Sequence, residues 1–351
     1  MIRHLVSIFV LLTCTLALFH YLRIMSFPRI DDGNNFAQYM FDERVPGAVR
    51  DEECPNNWRS RVVACQTSAW WLELWGKPHP PVHNVYGTPG PNGQFGNFYI
   101  QFPPQPYIDV FASYFAAWFL ATGLLLMLFS KAPPEARMAQ AAMILAGIVS
   151  DTPSRISPNF YPWDFAAMFF FTAAFLVWSA RGPSRGWAVP LVLLVILGGL
   201  FKETVLVAAL FLLSLPVKLG WRLFLVAAVI GVALGLSYEI TGGRLPDWKY
   251  SLQHAAGLSH FKCSDLFRAW PILGANIGLV AALPFLLWFR RHEPGAMILM
   301  IVVGCFMAGQ CLNNLAFGIY DENREWLDLL PLGAILATRA MTFPRSHGQR
   351  I

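Results

Sequence analysis

Charged side chains occur in three groups along a chain that is otherwise strongly apolar. Asp31 and Asp32 follow the first apolar segment, Lys202 and Glu203 interrupt a long one, and the third group, residues 322–325, precedes the last one. A carboxylate can abstract a proton from a hydroxyl, and a lysine or arginine can bind a phosphate. The three groups therefore predict an acid–base and phosphate-binding site, if the fold brings them together.

Each charged residue has a predicted role in that chemistry. Asp32, or its neighbour Asp31, is the predicted general base. The predicted phosphate-binding cations are Lys202, Arg324 and Arg155. A guanidinium suits this role because it can donate two parallel hydrogen bonds to one phosphate. The carboxylates predicted to orient these cations are Glu203, Glu322, Asp164 and Glu325.

Structural interpretations of the same residues remain open. The acidic pair at 31–32 and the acid Asp164 could each cap a helix, since carboxylates accept hydrogen bonds from the first helical N–H groups. Lys202 and Glu203 could be the polar tip of a hairpin that needs to meet water. Arg324 could pair with the acids around it inside a loop. We favour a functional interpretation because ionisable groups at a membrane are costly to keep.

The elements that must position these residues are membrane helices. The chain has 351 residues, of which 56% are hydrophobic and 13% charged, whereas soluble domains carry roughly 25% charged residues. This composition predicts an all-α polytopic membrane protein with about ten transmembrane helices. The apolar segments lie at about 5–25, 108–129, 137–150, 163–180, 187–201, 204–217, 222–239, 270–289, 296–313 and 326–338.

Three of these segments are shorter than the roughly 17 residues that a membrane span needs. They are 137–150, 187–201 and 204–217. The last two could be two full crossings or a re-entrant hairpin with Lys202 and Glu203 at its tip. Both alternatives return the chain to the side from which it came, so the later topology is the same.

The distribution of charge predicts the orientation. With both termini in the cytoplasm, the inner segments hold twelve of the 26 basic residues but two of the 21 acids. This asymmetry follows the positive-inside rule. The net charge of +5 therefore reflects membrane topology, and we predict no nucleic-acid partner. The three charged groups all fall on the outer face.

The outer face carries two long loops, residues 26–107 and 240–269. The first is predicted to contain interfacial helices, because Trp58, Trp70 and Trp71 stand among charged residues and Trp favours the membrane interface. Cys54 and Cys65 lie in this loop and could form a disulfide in an oxidising compartment. We find no metal-binding motif. A divalent metal could assist the chemistry, but the available cations make it dispensable.

Three sequence motifs resemble those of bacterial members of the GT-C superfamily of membrane glycosyltransferases. They are Phe160-Tyr161-Pro162-Trp163-Asp164-Phe165, Gly199-Leu200-Phe201-Lys202-Glu203-Thr204, and Glu322-Asn323-Arg324-Glu325-Trp326-Leu327-Asp328-Leu329-Leu330-Pro331. The order of a first span, an acidic motif, interfacial helices and many further spans resembles the same superfamily. This chain differs in having Trp163 where Tyr is frequent and Asp328 where a second Glu is frequent.

The resemblance implies an enzyme of the bacterial inner membrane. Such an enzyme takes a sugar from a polyprenyl-phosphate donor, inverts the anomeric centre, and uses an Asp or Glu of the first outer loop as the base. By position, Asp31 or Asp32 matches that acid, and Lys202 and Arg324 match residues near the donor phosphate. The expected acceptor is a glycan, lipid or protein outside the cytoplasm.

Two other classes of function remain as alternatives. The chain could be a transporter or flippase of a lipid-linked or anionic substrate, or a non-catalytic assembly subunit with the same architecture. A transporter is expected to carry charges near the middle of the membrane and to contain related halves. The charges of this chain gather at one face instead, which favours an enzyme.

Overall fold

The computed structural model describes residues 2–25, 62–76, 104–130, 132–150, 162–180, 185–240, 278–293, 295–317 and 323–342. Within these ranges the chain is helical and contains no strand. The α-helices are α1 Ile2–Met25, α2 Val62–Leu74, α3 Pro104–Phe129, α4 Pro134–Ser150, α5 Pro162–Ser179, α6 Ala188–Phe201, α7 Leu219–Ile240, α8 Gly278–Ala281, α9 Leu283–Phe289, α10 Ala296–Phe317 and α11 Leu330–Thr342. Three stretches are 3₁₀-helical: Arg185–Trp187, Glu203–Ser214 and Asn323–Leu329.

The helices have the character of a membrane protein. Each of the ten apolar segments overlaps a helix. Among the described residues, three stretches are long and apolar enough to cross a membrane: Arg3–Ile24 in α1, Ala112–Phe129 in α3, and Leu219–Ile240 in α7. Large apolar side chains such as Phe9 and Leu128 are exposed on these helices, where lipid would cover them. The chain is therefore an all-α, membrane-embedded protein.

Ion pairs at the two ends of α1 define how the first helices run. Arg3 at the start of α1 pairs with Glu135 at the start of α4, with 3.3 Å between Nη1 and Oε1. Arg23 near the end of α1 pairs with Asp109 near the start of α3, with 2.8 Å between Nε and Oδ1. Helix α1 therefore runs parallel to α4 and antiparallel to α3.

At one end of the bundle, which we call the basic end, arginine side chains donate hydrogen bonds to backbone carbonyl groups. Arg137 donates hydrogen bonds to the carbonyl oxygens of Ser130 and Ala132, at 2.9 and 2.8 Å. Arg222 donates to those of Val217 and Leu213, at 2.7 and 2.9 Å. Carbonyl groups at the ends of helices lack intrahelical partners, and basic side chains satisfy them. These arginines thus stabilise chain reversals as well as contributing to the charge asymmetry.

The core of the bundle is aromatic. The ring centroids of Phe115 in α3 and Phe165 in α5 lie 4.9 Å apart. The rings of Trp178 in α5 and Phe211 are stacked at 4.7 Å. The indole N–H of Trp178 donates to Ser214 Oγ at 3.0 Å, near the basic end. These contacts fix α5 as the central helix, against which both α3 and the segment Glu203–Ser214 pack.

Helix α2 lies within residues 26–107, the long segment that follows α1. Ala64 is buried in one cluster with Trp163, Phe201 and Val205, and Trp71 Nε1 donates to Ser113 Oγ at 2.9 Å. Helix α2 therefore packs where α5 begins and α6 ends, opposite the basic end. We call this opposite end the cluster end. Most of 26–107, nearly all of 240–269, Cys54 and the Cys65 side chain lie outside the described residues.

Candidate functional site

Lys202 stands at a sharp reversal of the chain. Helix α6 ends at Phe201, Lys202 is extended with φ −156° and ψ 128°, and the 3₁₀ helix Glu203–Ser214 follows. At the far end of the two arms, Arg185 Nη2 approaches the carbonyl oxygen of Pro216 at 3.5 Å. The two arms thus form a hairpin with Lys202 and Glu203 at its tip. Whether the hairpin is a pair of crossings or a re-entrant element stays a prediction.

Two glycines allow the hairpin to close tightly. A Cβ atom on Gly198 would lie 2.6 Å from Val205 Cγ1 and 2.7 Å from Phe170 Cβ. A Cβ atom on Gly199 would lie 2.4 Å from Leu206 Cδ2. Such distances are well inside van der Waals contact, so the hairpin arms approach to a separation that a larger residue would prevent. This close packing fixes the position of Lys202.

The Lys202 side chain ends in a buried ion cluster, formed by Asp164, Lys202, Thr204 and Asp328. Lys202 Nζ donates to Asp164 Oδ1 at 3.1 Å and lies 3.9 Å from Asp328 Oδ1. Thr204 Oγ1 donates to Asp328 Oδ2 at 2.6 Å. Lys202 is 3% exposed, Asp164 1% and Asp328 0%. Lysine and aspartate are almost never buried to this extent unless they are paired.

The members of the cluster come from three different parts of the fold. Asp164 lies in the first turn of α5, which starts at Pro162. Proline is well suited to that first position, and an acid in the first turn is stabilised by the positive end of the helix dipole. Asp328 lies in the 3₁₀ helix Asn323–Leu329, immediately before α11. Lys202 and Thr204 come from the hairpin tip, so the cluster ties three elements together.

The buried ion cluster is recessed from the cluster end of the bundle. Helices α3 and α5 run parallel, with Phe115 packed against Phe165 and Trp118 against Phe169. Asp109 precedes Phe115 by six residues, and Asp164 precedes Phe165 by one. At about 1.5 Å per residue, Asp164 is roughly 7 Å deeper than Asp109. The sequence predicted charges at the rim, whereas the Lys202–Asp164 pair is recessed among apolar side chains.

The predicted site residues divide into three sets. Lys202 and Asp164 lie together in the cluster, and Glu203 is exposed beside them. Arg324 and Glu325 belong to the 3₁₀ helix Asn323–Leu329, but their side chains lie outside the described residues. The remaining four are also outside the described residues: Asp31, Asp32, Arg155 and Glu322.

Two members of the cluster, Thr204 and Asp328, were not among the predicted site residues. Both belong to the sequence motifs, one directly after the Lys-Glu pair and one four residues after Arg324. The signal that could have identified Asp328 is its position inside an apolar stretch, where a lone acid is costly. Its partner Thr204 is 124 residues away in sequence, so the contact itself carries no local signature.

The arrangement can hold one ammonium group in a fixed place and release it to another anion. A charge removed from water needs close partners, because its desolvation costs several kcal/mol. In the ranges that the structure describes, no group of three or more His, Cys, Asp or Glu side chains could hold a metal ion. The described geometry is that of a buried lysine ammonium held beside two buried carboxylates.

Comparison with known proteins gives no match. No protein-family model, curated protein or solved structure is similar to this chain.

Proposed function

We propose that the protein is a GT-C-like glycosyltransferase of the bacterial inner membrane, with about ten transmembrane helices. It transfers a sugar from a polyprenyl-phosphate donor to a glycan, lipid or protein acceptor outside the cytoplasm. The observation that carries this proposal is the buried lysine Lys202, held by Asp164 and Asp328 at one end of an apolar helical bundle. A lysine at the end of an apolar helical bundle can receive a lipid-linked phosphate directly from the bilayer.

The arrangement of charge supports the proposed orientation. The arginines that cap helix ends, Arg137 and Arg222, lie at the basic end. By the positive-inside rule this end faces the cytoplasm. The buried ion cluster lies at the other end and therefore faces outwards. Both termini are then cytoplasmic, since α1 begins at the basic end and α11 ends there.

The position of α1 supports the role of the acidic pair. Helix α1 ends at the cluster end, where Arg23 pairs with Asp109. Asp31 follows the last residue of α1, Met25, by six positions. Helix α1 therefore ends on the side of Lys202, a few residues before the two acids in sequence. A base and a phosphate-binding cation on one side of the membrane are what the proposed transfer needs.

In the proposed reaction, Asp32 (or Asp31) takes the proton of an acceptor hydroxyl. The hydroxyl oxygen bonds to the anomeric carbon of the sugar, the bond from that carbon to the phosphate oxygen breaks, and the polyprenyl phosphate leaves. Lys202, with Arg324 and Arg155, offsets the charge that develops on the leaving phosphate. Glu203, Glu322, Asp164 and Glu325 would orient these cations. Attack opposite the leaving group inverts the anomeric centre.

A transporter or flippase remains the second candidate, and burial of the cluster favours it. Paired ionisable groups inside a membrane domain mark ion and substrate pathways in pumps and transporters. The two candidates differ in their product. A transferase forms a glycosidic bond in a sealed or an open membrane, whereas a transporter moves an unchanged substrate and needs two compartments.

Sugar transfer by purified protein tests the proposal. Wild type, Asp31→Asn, Asp32→Asn and the double variant are placed in nanodiscs with radiolabelled polyprenyl-phosphate sugars and a membrane extract as acceptor source. Glu293→Gln, at the basic end, is the matched carboxylate control. We expect transfer by wild type and the control and its loss in the double variant. Undiminished transfer by the double variant would refute the assigned base, and no transfer from any donor would refute the enzyme class.

A further inference from the structure

We propose that Asp328 is a gate for the donor phosphate: it occupies the Lys202 ammonium until a polyprenyl phosphate displaces it, while Asp164 stays paired. This inference rests on the proposed function and names how access to that same site is regulated. It starts from the burial of Lys202. With 3% of the residue exposed, a phosphate reaches the ammonium when one of its present partners gives way.

The two described carboxylates beside Lys202 are held with unequal strength. The Nζ–Oδ1 distance to Asp164 is 3.1 Å, which is a charge-assisted hydrogen bond. The corresponding distance to Asp328 is 3.9 Å, beyond hydrogen-bond range. The contact with Asp328 is therefore a Coulomb attraction without the added hydrogen bond. Asp328 is the partner that a phosphate can replace at lower cost.

The surroundings of the two carboxylates also indicate that Asp328 is easier to displace than Asp164. Asp164 sits in the first turn of α5, and its sequence neighbours Trp163 and Phe165 are buried. The helix dipole favours its negative charge there. Asp328 sits in the short 3₁₀ helix Asn323–Leu329. Short 3₁₀ helices have poorer hydrogen-bond geometry than α-helices, so this segment can shift more easily than the start of α5.

Asp328 keeps a partner when it leaves Lys202. Its second oxygen, Oδ2, accepts a hydrogen bond from Thr204 Oγ1 at 2.6 Å, and this bond does not involve the ammonium. Thr204 is therefore placed to retain the carboxylate in the displaced state. Because a phosphate enters as the Asp328 carboxylate withdraws, the ammonium exchanges one anion for another, which limits the cost of the buried charge.

Binding of undecaprenyl phosphate alone, measured by native mass spectrometry in phosphatidylcholine nanodiscs, tests the gate. The two carboxylates should give opposite results. Asp328→Asn removes the competing charge and is expected to tighten binding about tenfold, equivalent to about 1.4 kcal/mol. Asp164→Asn removes the carboxylate that holds the Lys202 ammonium in place, and it is expected to weaken binding by a similar factor. Ser214→Ala, which removes a partly buried hydroxyl near the basic end, should bind as wild type does.

A second readout follows Lys202 itself. The rate at which an amine-reactive reagent labels Lys202, read from its peptide by mass spectrometry, is expected to rise in Asp328→Asn and to fall when undecaprenyl phosphate is added. If Asp328→Asn does not fold, Asp328→Glu brings a longer carboxylate to the ammonium and is expected to weaken lipid-phosphate binding.

The outcomes separate the gate from the proposed function. Wild-type binding that is weakened equally by Asp328→Asn and Asp164→Asn would overturn the gate and leave the proposed function standing. Unchanged binding in Asp328→Asn, with unchanged labelling of Lys202, would overturn it as well. If wild type and every variant fail to bind undecaprenyl phosphate, the proposed function and the gate both fall.

Discussion

Replacing Lys202 by methionine should destabilise the protein strongly, although the two side chains have similar volumes. The variant keeps the apolar stem and removes the ammonium that lies 3.1 Å from Asp164 and 3.9 Å from Asp328. Both carboxylates are almost fully buried. Breaking a buried pair by removing one partner costs about 3–5 kcal/mol, because the remaining charge is left without its counter-ion. With two carboxylates affected, we expect the loss to lie near the upper end of that range.

Thermal unfolding in detergent, followed by tryptophan fluorescence, measures this loss. At on the order of 2 °C per kcal/mol for a chain of this size, the melting temperature should fall by roughly 6–10 °C. Lys218→Met is the control, since Lys218 is exposed at the basic end, and should melt within about 1 °C of wild type. If Lys202→Met also melts within that margin, Lys202 is not held in a buried ion cluster, and the geometry on which the proposed site depends is wrong.

The packing of the hairpin, the hydroxyl in the cluster and the docking of α2 give three further tests by the same unfolding measurement. Gly198→Ala should cost about 1–3 kcal/mol of stability through overpacking. Its control is Gly231→Ala, which should not destabilise because an added Cβ there meets no described atom within 4 Å. Equal costs for the two variants would contradict the close approach of the hairpin arms. Thr204→Val should cost about 1–3 kcal/mol of stability by removing a hydrogen bond to a buried carboxylate. Thr204→Ser keeps a hydroxyl and should retain most of that stability. If the serine variant is destabilised as much as the valine variant, the hydrogen bond is refuted. Trp71→Phe should cost about 1 kcal/mol of stability through loss of its hydrogen bond to Ser113. In a protein that already carries Ser113→Ala, Trp71→Phe should cause no further loss. Additive losses would show that the two residues act independently.

The sequence predicted the elements well because membrane helices depend on local composition. Each apolar segment overlaps a helix, and Lys202 and Glu203 do stand at the tip of a hairpin between two short arms. Hydrophobicity along the chain carries this information directly. The number of crossings stays a prediction, since three helical stretches in the described part of the chain are long and apolar enough by themselves to span a membrane.

The sequence could not predict the depth or the partners of the charged residues. Lys202 and Asp164 are 38 residues apart, and Thr204 and Asp328 are 124 residues apart. Such contacts follow from how α5, the hairpin and the segment before α11 pack, which no local pattern specifies. The sequence also does not distinguish Gly198, where a Cβ would clash, from Gly231, where space is open.

The measurement that tests the central claim most directly is the initial rate of sugar transfer by purified protein in nanodiscs. Wild type, Lys202→Met and Lys218→Met are compared with the same radiolabelled polyprenyl-phosphate sugar, at a temperature where all three are folded. We predict transfer by wild type and Lys218→Met, and a loss of roughly 10²-fold or more in Lys202→Met, as expected for removal of a group that stabilises developing charge. Equal transfer by all three proteins would contradict the role of Lys202, and no transfer by wild type from any donor would contradict the proposed enzyme.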